Sequence, residues 1–510
     1  MSVAHAPITP ARKAAVTASV MCSTMIVALD GTIANVALPH MQSSLGASPE
    51  QVVWVLTSYL IASAIMTPLS SWLASRFGRK LVMTVSAAGF TLASLGCGLA
   101  NSLEFMVFAR LVQGLSGAGL IPLGQATLLD INPPEKQGQA MAMAGLGAML
   151  GPLAGPTLGG WLTDSFTWRW VFLINIPIGL IAFAGLSLTM LETRDKGMAK
   201  FDLFGFATVS LFLGALQLVF DRGAQLDWFD STEICIEATV AALAGYLMIV
   251  HMFTARDTFV RAALFADRNF LIGCGISAVI GLVIFATVPL LTVMTQNLLG
   301  YTALQTGLIG MPRAIGTVTG LLIVGNLIGR VDARVLLTIG LAMIAAALFM
   351  FSRISLETDR TPLLLAGLLQ GFAGGLMIAP LSTLTFSTLT PLFRNEGTAI
   401  YSLFRSIGNA LGISVLQLLA TRNTAAVTGR LSEGVRPDNP TLQAAMPDFA
   451  FDSVEATLRI SGAISRQAAM VALVDTMWLA CLVAMATLPL VLLLRGKRSS
   501  PQVPVIDAGH

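Results

Sequence analysis

A single carboxylate, Asp30, stands in the apolar run 14–38, AAVTASVMCSTMIVALDGTIANVAL. As a helix rising about 1.5 Å per residue, the run is long enough to cross a hydrocarbon layer ~30 Å thick. The aspartate falls just past its middle, where an Asp costs roughly 2.5–3.5 kcal/mol. It therefore has to face protein or a water-filled cavity, and it marks an ion path or a proton relay. The other use of such a residue is as a protonated carboxyl that bonds a neighbouring helix. A second charge within an apolar run, Arg110, opens the stretch Arg110-Leu111-Val112-Gln113-Gly114. By helical rise Arg110 lies ~28 Å and Asp30 ~21 Å from the same face of the membrane, a difference that an arginine side chain spans. The two are expected to meet. A nearby guanidinium and desolvation act on a carboxyl in opposite senses, so a group held between them can change its protonation as access alternates. A permanent ion pair, or an arginine bonded to backbone carbonyls, is the alternative use of the same residues.

Composition shows what has to position these groups. The 510 residues are 55% hydrophobic and 11% charged, with a mean hydropathy of +0.78, whereas a soluble domain is about one quarter charged. Apolar segments lie at about 14–38, 52–75, 81–100, 105–129, 140–162, 169–190, 202–220, 231–253, 269–296, 305–329, 334–354, 361–383, 396–421 and 469–495, fourteen in all. An even number puts both ends on one side. With the N-terminus inside, the inner loops and tails carry twice as many Lys and Arg as the outer loops, so both ends are expected in the cytoplasm. The first apolar run is too long for a signal peptide's core, and no cleavage is expected. Cys22, Cys97, Cys235, Cys274 and Cys481 sit in or beside apolar spans and read as small hydrophobes without disulfides. The net charge of +3 gives no argument for nucleic acid.

A repeat orders the spans. Leu111-Val112-Gln113-Gly114 with Gly117 recurs as Leu368-Leu369-Gln370-Gly371 with Gly374, and Pro134 recurs as Pro391, all at an offset of 257. The two copies fall in the fourth span of a six-span set if the pair near 202–253 is an insertion. The expected fold is all-α and integral to the membrane: two pseudo-symmetric six-helix halves, 14–190 and 269–495, with a two-helix insertion at 191–268 and tails at 1–13 and 496–510. That is the parallel-related arrangement of major facilitator transporters, with a substrate site between the halves near the midplane.

Longer motifs sharpen the resemblance. Leu29-Asp30-Gly31-Thr32-Ile33-Ala34-Asn35-Val36-Ala37-Leu38-Pro39 resembles the first-helix signature of the fourteen-helix drug:proton antiporters of the major facilitator superfamily, the EmrB/QacA type. In that family the aspartate takes part in proton and substrate handling, a role the resemblance implies for Asp30. The stretch Ser71-Trp72-Leu73-Ala74-Ser75-Arg76-Phe77-Gly78-Arg79-Lys80 is similar to the superfamily's cytoplasmic loop motif, with Ser71 replacing its Gly and Ser75 its acid. A tight turn at Gly78 remains, holding Arg76, Arg79 and Lys80. These would latch the inward face through helix C-termini or acidic partners, unless they are plain positive-inside charge. Arg110 to Gly114 looks like the family's R-x-x-Q-G. The fifth span resembles the antiporter motif G-x-x-x-G-P-x-x-G-G, carried by Gly151, Gly155, Pro156, Gly159 and Gly160, which in the family goes with exporters. Its glycines admit another helix closely and its prolines bend the axis. The segment WRWVFLINIPIG at 168–179 also looks typical of the family.

The second half has Gly367 where Arg110 would recur, so the coupling chemistry belongs to the first. Arg313 and Arg405 lie deep in their spans, and Asp30 is the one comparably deep acid, a balance that favours anionic or neutral amphiphiles over dications. Arg405 could instead snorkel to the cytoplasmic surface. The candidate substrate cavity comprises Asp30, Asn35, Gln113, Gln370, Arg313 and Arg405, with Asn35 either lining it or bonding across helices. The near-neutral outer loop 422–466 is a mobile linker with some amphipathic helix, or a docking surface for the periplasmic adaptor that, in the tripartite exporters this chain resembles, joins the transporter to an outer-membrane channel. Neither H-E-x-x-H nor G-x-S-x-G occurs, the four histidines fall singly, and no Walker A sequence exists, so an enzyme or an ATP-driven pump is not expected. The resemblance implies a proton-coupled exporter of hydrophobic drugs or toxic compounds in the bacterial inner membrane, with protons as coupling ion and no metal or other cofactor. An importer or uniporter of a small metabolite is the alternative.

Overall fold

The computed structural model describes residues 9–133, 136–192, 201–223, 226–255, 258–328, 330–390, 393–436 and 454–495. Pro134, Pro391, the tail 496–510 and loop residues 437–453 lie outside them. The long helices are α1 (Pro10–Ser44), α2 (Trp54–Phe77), α3 (Arg79–Leu99), α4 (Leu103–Ile131), α5 (Gln137–Ser165), α6 (Trp170–Thr189), α7 (Leu203–Arg222) and α8 (Thr232–Thr254). They continue as α9 (Arg268–Leu298), α10 (Ala303–Leu327), α11 (Ala333–Phe351), α12 (Arg360–Phe386), α13 (Arg394–Glu433) and α14 (Val454–Leu492). Thirteen of these stretches are long and apolar enough to cross a membrane. The other, α5, is a 29-residue helix threaded with glycine. No β-strand occurs among the described residues.

Packing repeats in the two halves. In α1–α6 the first helix packs on the fifth and sixth, the second and third on the fourth, and the third on the sixth; α9–α14 repeat all five pairings. The halves meet reciprocally, α2 against α13 and α5 against α10, the second helix of each against the fifth of the other. The inserted pair α7–α8 packs on itself and, through α7, on α2 and α13.

Glycine sets the closest approach, that of α1 to α5. Gly147, Gly151, Gly155 and Gly159 recur every fourth residue and so share one helix face. A Cβ on Gly151 would strike the backbone of Ala28 and Leu29, one on Gly155 the Thr32 side chain, and one on Gly159 Ile33. Thr32 Oγ1 reaches the Gly151 carbonyl at 3.4 Å. The two backbones therefore touch one residue from Asp30. Gly160, the last of the motif, has nothing within 4 Å of its would-be Cβ. Gly78 joins α2 to α3 in a single residue at φ 91°, a left-handed conformation that favours glycine.

Loop 422–466 contains the helix that the linker reading included, at both of its ends. Both helices flanking the outer loop run past their apolar spans, α13 to Glu433 and α14 from Val454, so much of 422–466 is exposed helix. No Gly or Pro breaks the pattern between Arg430 and Glu433, and Arg459 pairs with Glu455 one turn away at 2.7 Å. The start of α7 is capped by a side chain. Asp202 accepts from the backbone N–H groups of Gly205 at 2.8 Å and Phe259 at 2.9 Å, and lies 2.8 Å from His251 Nε2.

Gly151→Ala should lower stability by about 1–3 kcal/mol through overpacking against α1, while Gly160→Ala should leave it unchanged. Thermal unfolding in detergent decides this, and equal midpoints for the two variants would refute the packing account. At α7, burial pushes the Asp202 carboxyl up, but the two N–H donors and His251 outweigh it and hold the group below its usual range. A lowered carboxyl contributes stability above its unfolded pKa and loses it as pH falls through the folded value. Amide protection at the start of α7 should be flat through neutral pH and decline only below about pH 4. A decline between pH 7 and 5, followed by hydrogen exchange, would contradict this.

Candidate functional site

Asp30 is 0% exposed and Arg110 1%. The arginine's Nη1 lies 2.6 Å from Asp30 Oδ2. Two amides complete the carboxylate's shell, Gln113 Nε2 at 2.9 Å and Asn175 Nδ2 at 3.0 Å, both to Oδ1. The guanidinium is held in turn by the Val55 carbonyl, which takes Nε–H at 2.9 Å, and by Gln113 Oε1 at 2.6 Å. Its carbon sits 4.3 Å from the centre of the Tyr59 ring and 5.6 Å from that of Phe172. Gln113 Nε2 also donates to Ser94 Oγ at 2.7 Å. Five helices, α1, α2, α3, α4 and α6, thus each supply a partner. Such donors and acceptors are what a buried ion pair needs, since Coulomb attraction alone does not repay the desolvation of both charges.

The sequence reading brings Asp30 and Arg110 together, and so does the structure. It does not identify Asn175, Ser94, Tyr59 or the Val55 carbonyl. Asn175 had a usable signal, being an amide inside the apolar stretch Leu173 to Ile178. The second half repeats the geometry without charge. Gln370 Nε2 donates to Thr287 Oγ1 at 3.0 Å, and at the offset of 257 Thr287 corresponds to Asp30 and Gly367 to Arg110. Gln370 Oε1, whose counterpart in Gln113 accepts from Arg110, is buried with no partner among the described residues.

The remaining candidates fall into separate places. Asp30, Gln113 and Gln370 are fully buried, so in this conformation they do not line a space between the halves, as the cavity expectation had it; α5 and α6 pack on α1, α2 and α3 on α4, and α10 and α11 on α12. Asn35 is exposed and its Nδ2 donates to the Gly31 carbonyl of its own helix at 3.1 Å, not across helices. Arg313 and Arg405 are partly buried on α10 and α13, the helices that meet the first half, and no carboxylate among the described residues pairs with either. The motif residues Gly151, Gly155 and Gly159 form the α1–α5 contact, and Pro156 lies within α5.

Where α3 and α13 begin and α4 ends, Arg79 Nη2 bonds Asp130 Oδ2 at 2.9 Å, and Arg394 of the second half bonds the other carboxylate oxygen of Asp130. The acid missing at Ser75 is thus supplied from the last turn of α4, and it bridges the halves. A Cβ on Gly138 would strike Ile328, and one on Gly145 would press on Leu321 and Ile378, so α5 closes on α10 and α12 along the same side. Arg76 lies over the Trp72 and Phe77 rings at 5.4 and 5.8 Å, and Lys80 is partly buried.

Removal of one partner of the buried pair leaves the other uncompensated, at a cost of about 3–5 kcal/mol. In a cycle of Asp30→Asn, Arg110→Gln and the double variant, each single substitution should therefore depress the thermal midpoint more than the two combined. Additive losses in that cycle would show that the two groups do not stabilise each other.

Comparison with known proteins is consistent in family and in fold. The sequence model described as the Major Facilitator Superfamily matches residues 20–413. Multidrug export protein EmrB of Escherichia coli (strain K12) is 35% identical over 442 residues, 86% of this chain and 86% of that one. Fatty acid resistance protein FarB of Neisseria gonorrhoeae is 33% identical over 440 residues, covering 86% and 87%. Among solved structures, the human organic anion transporter MFSD10 (TETRAN) superposes with a TM-score of 0.59 at 15% identity, covering 93% of this chain and 100% of that one, a likeness of fold. With its repeated six-helix packing and these matches over most of its length, the chain is a multi-pass membrane protein that belongs to the Major Facilitator Superfamily of transporters.

Proposed function

We propose that the protein is a proton-coupled antiporter of the bacterial inner membrane, with both ends cytoplasmic, which exports hydrophobic and amphipathic compounds by alternating access. The names of its relatives, a multidrug export protein and a fatty acid resistance protein, support export of such compounds. The observation that carries the coupling is that α5 touches both the proton site and the second half. On one face its Gly151 lies against Leu29, next to Asp30, and further along its Gly145 lies against Leu321 and Ile378. Protonation of Asp30 removes the charge that Arg110, Gln113 and Asn175 hold. A rearrangement there passes through α5 to the contact between halves, and interfaces of this kind are bistable rather than continuously deformable.

Arg313 and Arg405 support a cavity that prefers anionic or neutral amphiphiles over dications, because an unpaired guanidinium in low dielectric repels cations strongly. The exposed helical extensions of α13 and α14 support docking of a periplasmic adaptor leading to an outer-membrane channel, with lipid around the remaining apolar surface.

In proteoliposomes with an imposed pH gradient, a permanently ionised aryl sulfonate dye should accumulate with the native chain and not with Asp30→Asn. Such a dye cannot itself carry a proton through lipid. A lipophilic weak acid should compete with it and a bis-quaternary amine should not. Equal uptake by native and Asp30→Asn protein would end the role given to Asp30, and competition by the amine alone would reverse the charge preference.

A further inference from the structure

The outer end of the inserted helix α7 grips both halves with three consecutive residues. The Phe220 carbonyl accepts from Ser414 Oγ of α13, the Asp221 carboxylate accepts from Thr57 Oγ1 of α2, and the Arg222 guanidinium lies 5.4 Å from the Trp54 ring centre, also of α2. Arg222 is paired in turn with Glu233 and Glu237 of α8. Thr57 is 1% exposed.

The turn of α2 that Asp221 grips is the one that holds Arg110. Val55 gives its carbonyl to Arg110 Nε, and Tyr59 gives its ring. Residues 55 and 59 share a helix face, and residue 57 points about 200° away from each at 3.6 residues per turn. One turn therefore has Arg110 on one side and Asp221 on the other. We propose that Asp221 is a positioning residue for the Asp30–Arg110 pair: through Thr57 it fixes the α2 turn that carries the arginine, and so ties the inserted hairpin and the α2–α13 seam to the buried site. The charged group beside Asp221 is Arg222 on its own helix, itself paired with Glu233 and Glu237 of α8, and Arg110 is the charged partner of Asp30. This rests on the coupling role proposed for Asp30, but its geometry is tested separately.

Two readouts on the full chain test it, with Asp221→Ala, Thr57→Val, the double variant and Asp221→Asn. The first is alkylation of Cys97 by N-ethylmaleimide in purified protein, followed by peptide mass spectrometry. Cys97 is 0% exposed and lies 3.7 Å from Gln113 Oε1; Cys274, equally buried in the second half, is the control. Asp221→Ala and Thr57→Val should raise Cys97 labelling several-fold with Cys274 unchanged. Asp221→Asn, which keeps a hydrogen-bond acceptor, should behave as native. The second is the pH profile of sulfonate uptake, whose midpoint should move by about half a pH unit or more in the two single variants, with no further change in the double variant. Unchanged Cys97 labelling, a rise shared with Cys274, failure of Asp221→Asn to restore native behaviour, or an unmoved midpoint at lower rate would each overturn the proposal. Absence of Asp30-dependent uptake in the native protein would instead remove the coupling reading, and the Cys97 comparison would still decide whether Asp221 orders the site.

Discussion

A carboxylate and a guanidinium sealed together inside a six-helix bundle impose the tightest demand in this molecule. At 2.6 Å and almost without exposure, the pair attracts strongly, but each ion has given up its water, and the desolvation is of the same order as the attraction. The balance is settled by secondary partners. Asp30 has three donors, and Arg110 has a backbone carbonyl, an amide oxygen and two aromatic faces. Placing all of them within hydrogen-bond range requires helix axes closer than bulky side chains allow. Gly114 against the Tyr59 carbonyl and Gly151 against Leu29 supply that closeness. The glycines of the antiporter motif are thus part of the ion-pair geometry as much as of helix packing.

The second half shows what the same packing does when relieved of charge. Thr287 and Gln370 keep the hydrogen bond, Gly367 removes the arginine, and Gln370 Oε1 is left without a partner. The pair α10–α12 is instead closed by four glycines, Gly316 and Gly320 against the backbone of α12, and Gly371 and Gly375 against that of α10. Backbone laid on backbone in this way resists sliding, because each glycine sits where no side chain fits. A half that carries the charged pair packs against a half built without one, and in the proposed cycle that asymmetry is what would let one protonation event bias a two-body arrangement.

How much of this the sequence discloses follows from range. Asp30 and Arg110 stand out because charge in an apolar run is costly, and their meeting follows from helical rise, which is local arithmetic. The glycine stripe of α5 is legible for the same reason, a period of four residues. Asn175 could have been singled out as an amide in an apolar stretch, but Ser94 is an ordinary polar residue whose importance lies only in which neighbour it faces. The bonds of Asp130 to Arg394 and of Asp221 to Thr57 join residues 264 and 164 positions apart, and nothing in either stretch marks its partner. The helical ends of the 422–466 loop were legible only as some amphipathic helix without bounds, since a span count stops where hydrophobicity does while the helix runs on into polar sequence.

Magnitudes then divide the labour between the two charged sites. Asp130 is about one third exposed, and a pair in that setting contributes roughly 0–1 kcal/mol, less in salt. A bridge of that strength between Arg79 and Arg394 can part and re-form in every cycle without becoming a trap. The Asp30–Arg110 pair, buried and fully bonded, has several kcal/mol at stake when its charge balance changes. On the proposed cycle the exposed bridge can report which face is closed, but only the buried pair carries enough energy to decide it. The population of the two access states should therefore follow the occupancy of Asp30 by a proton far more than the ionic strength of the cytoplasm.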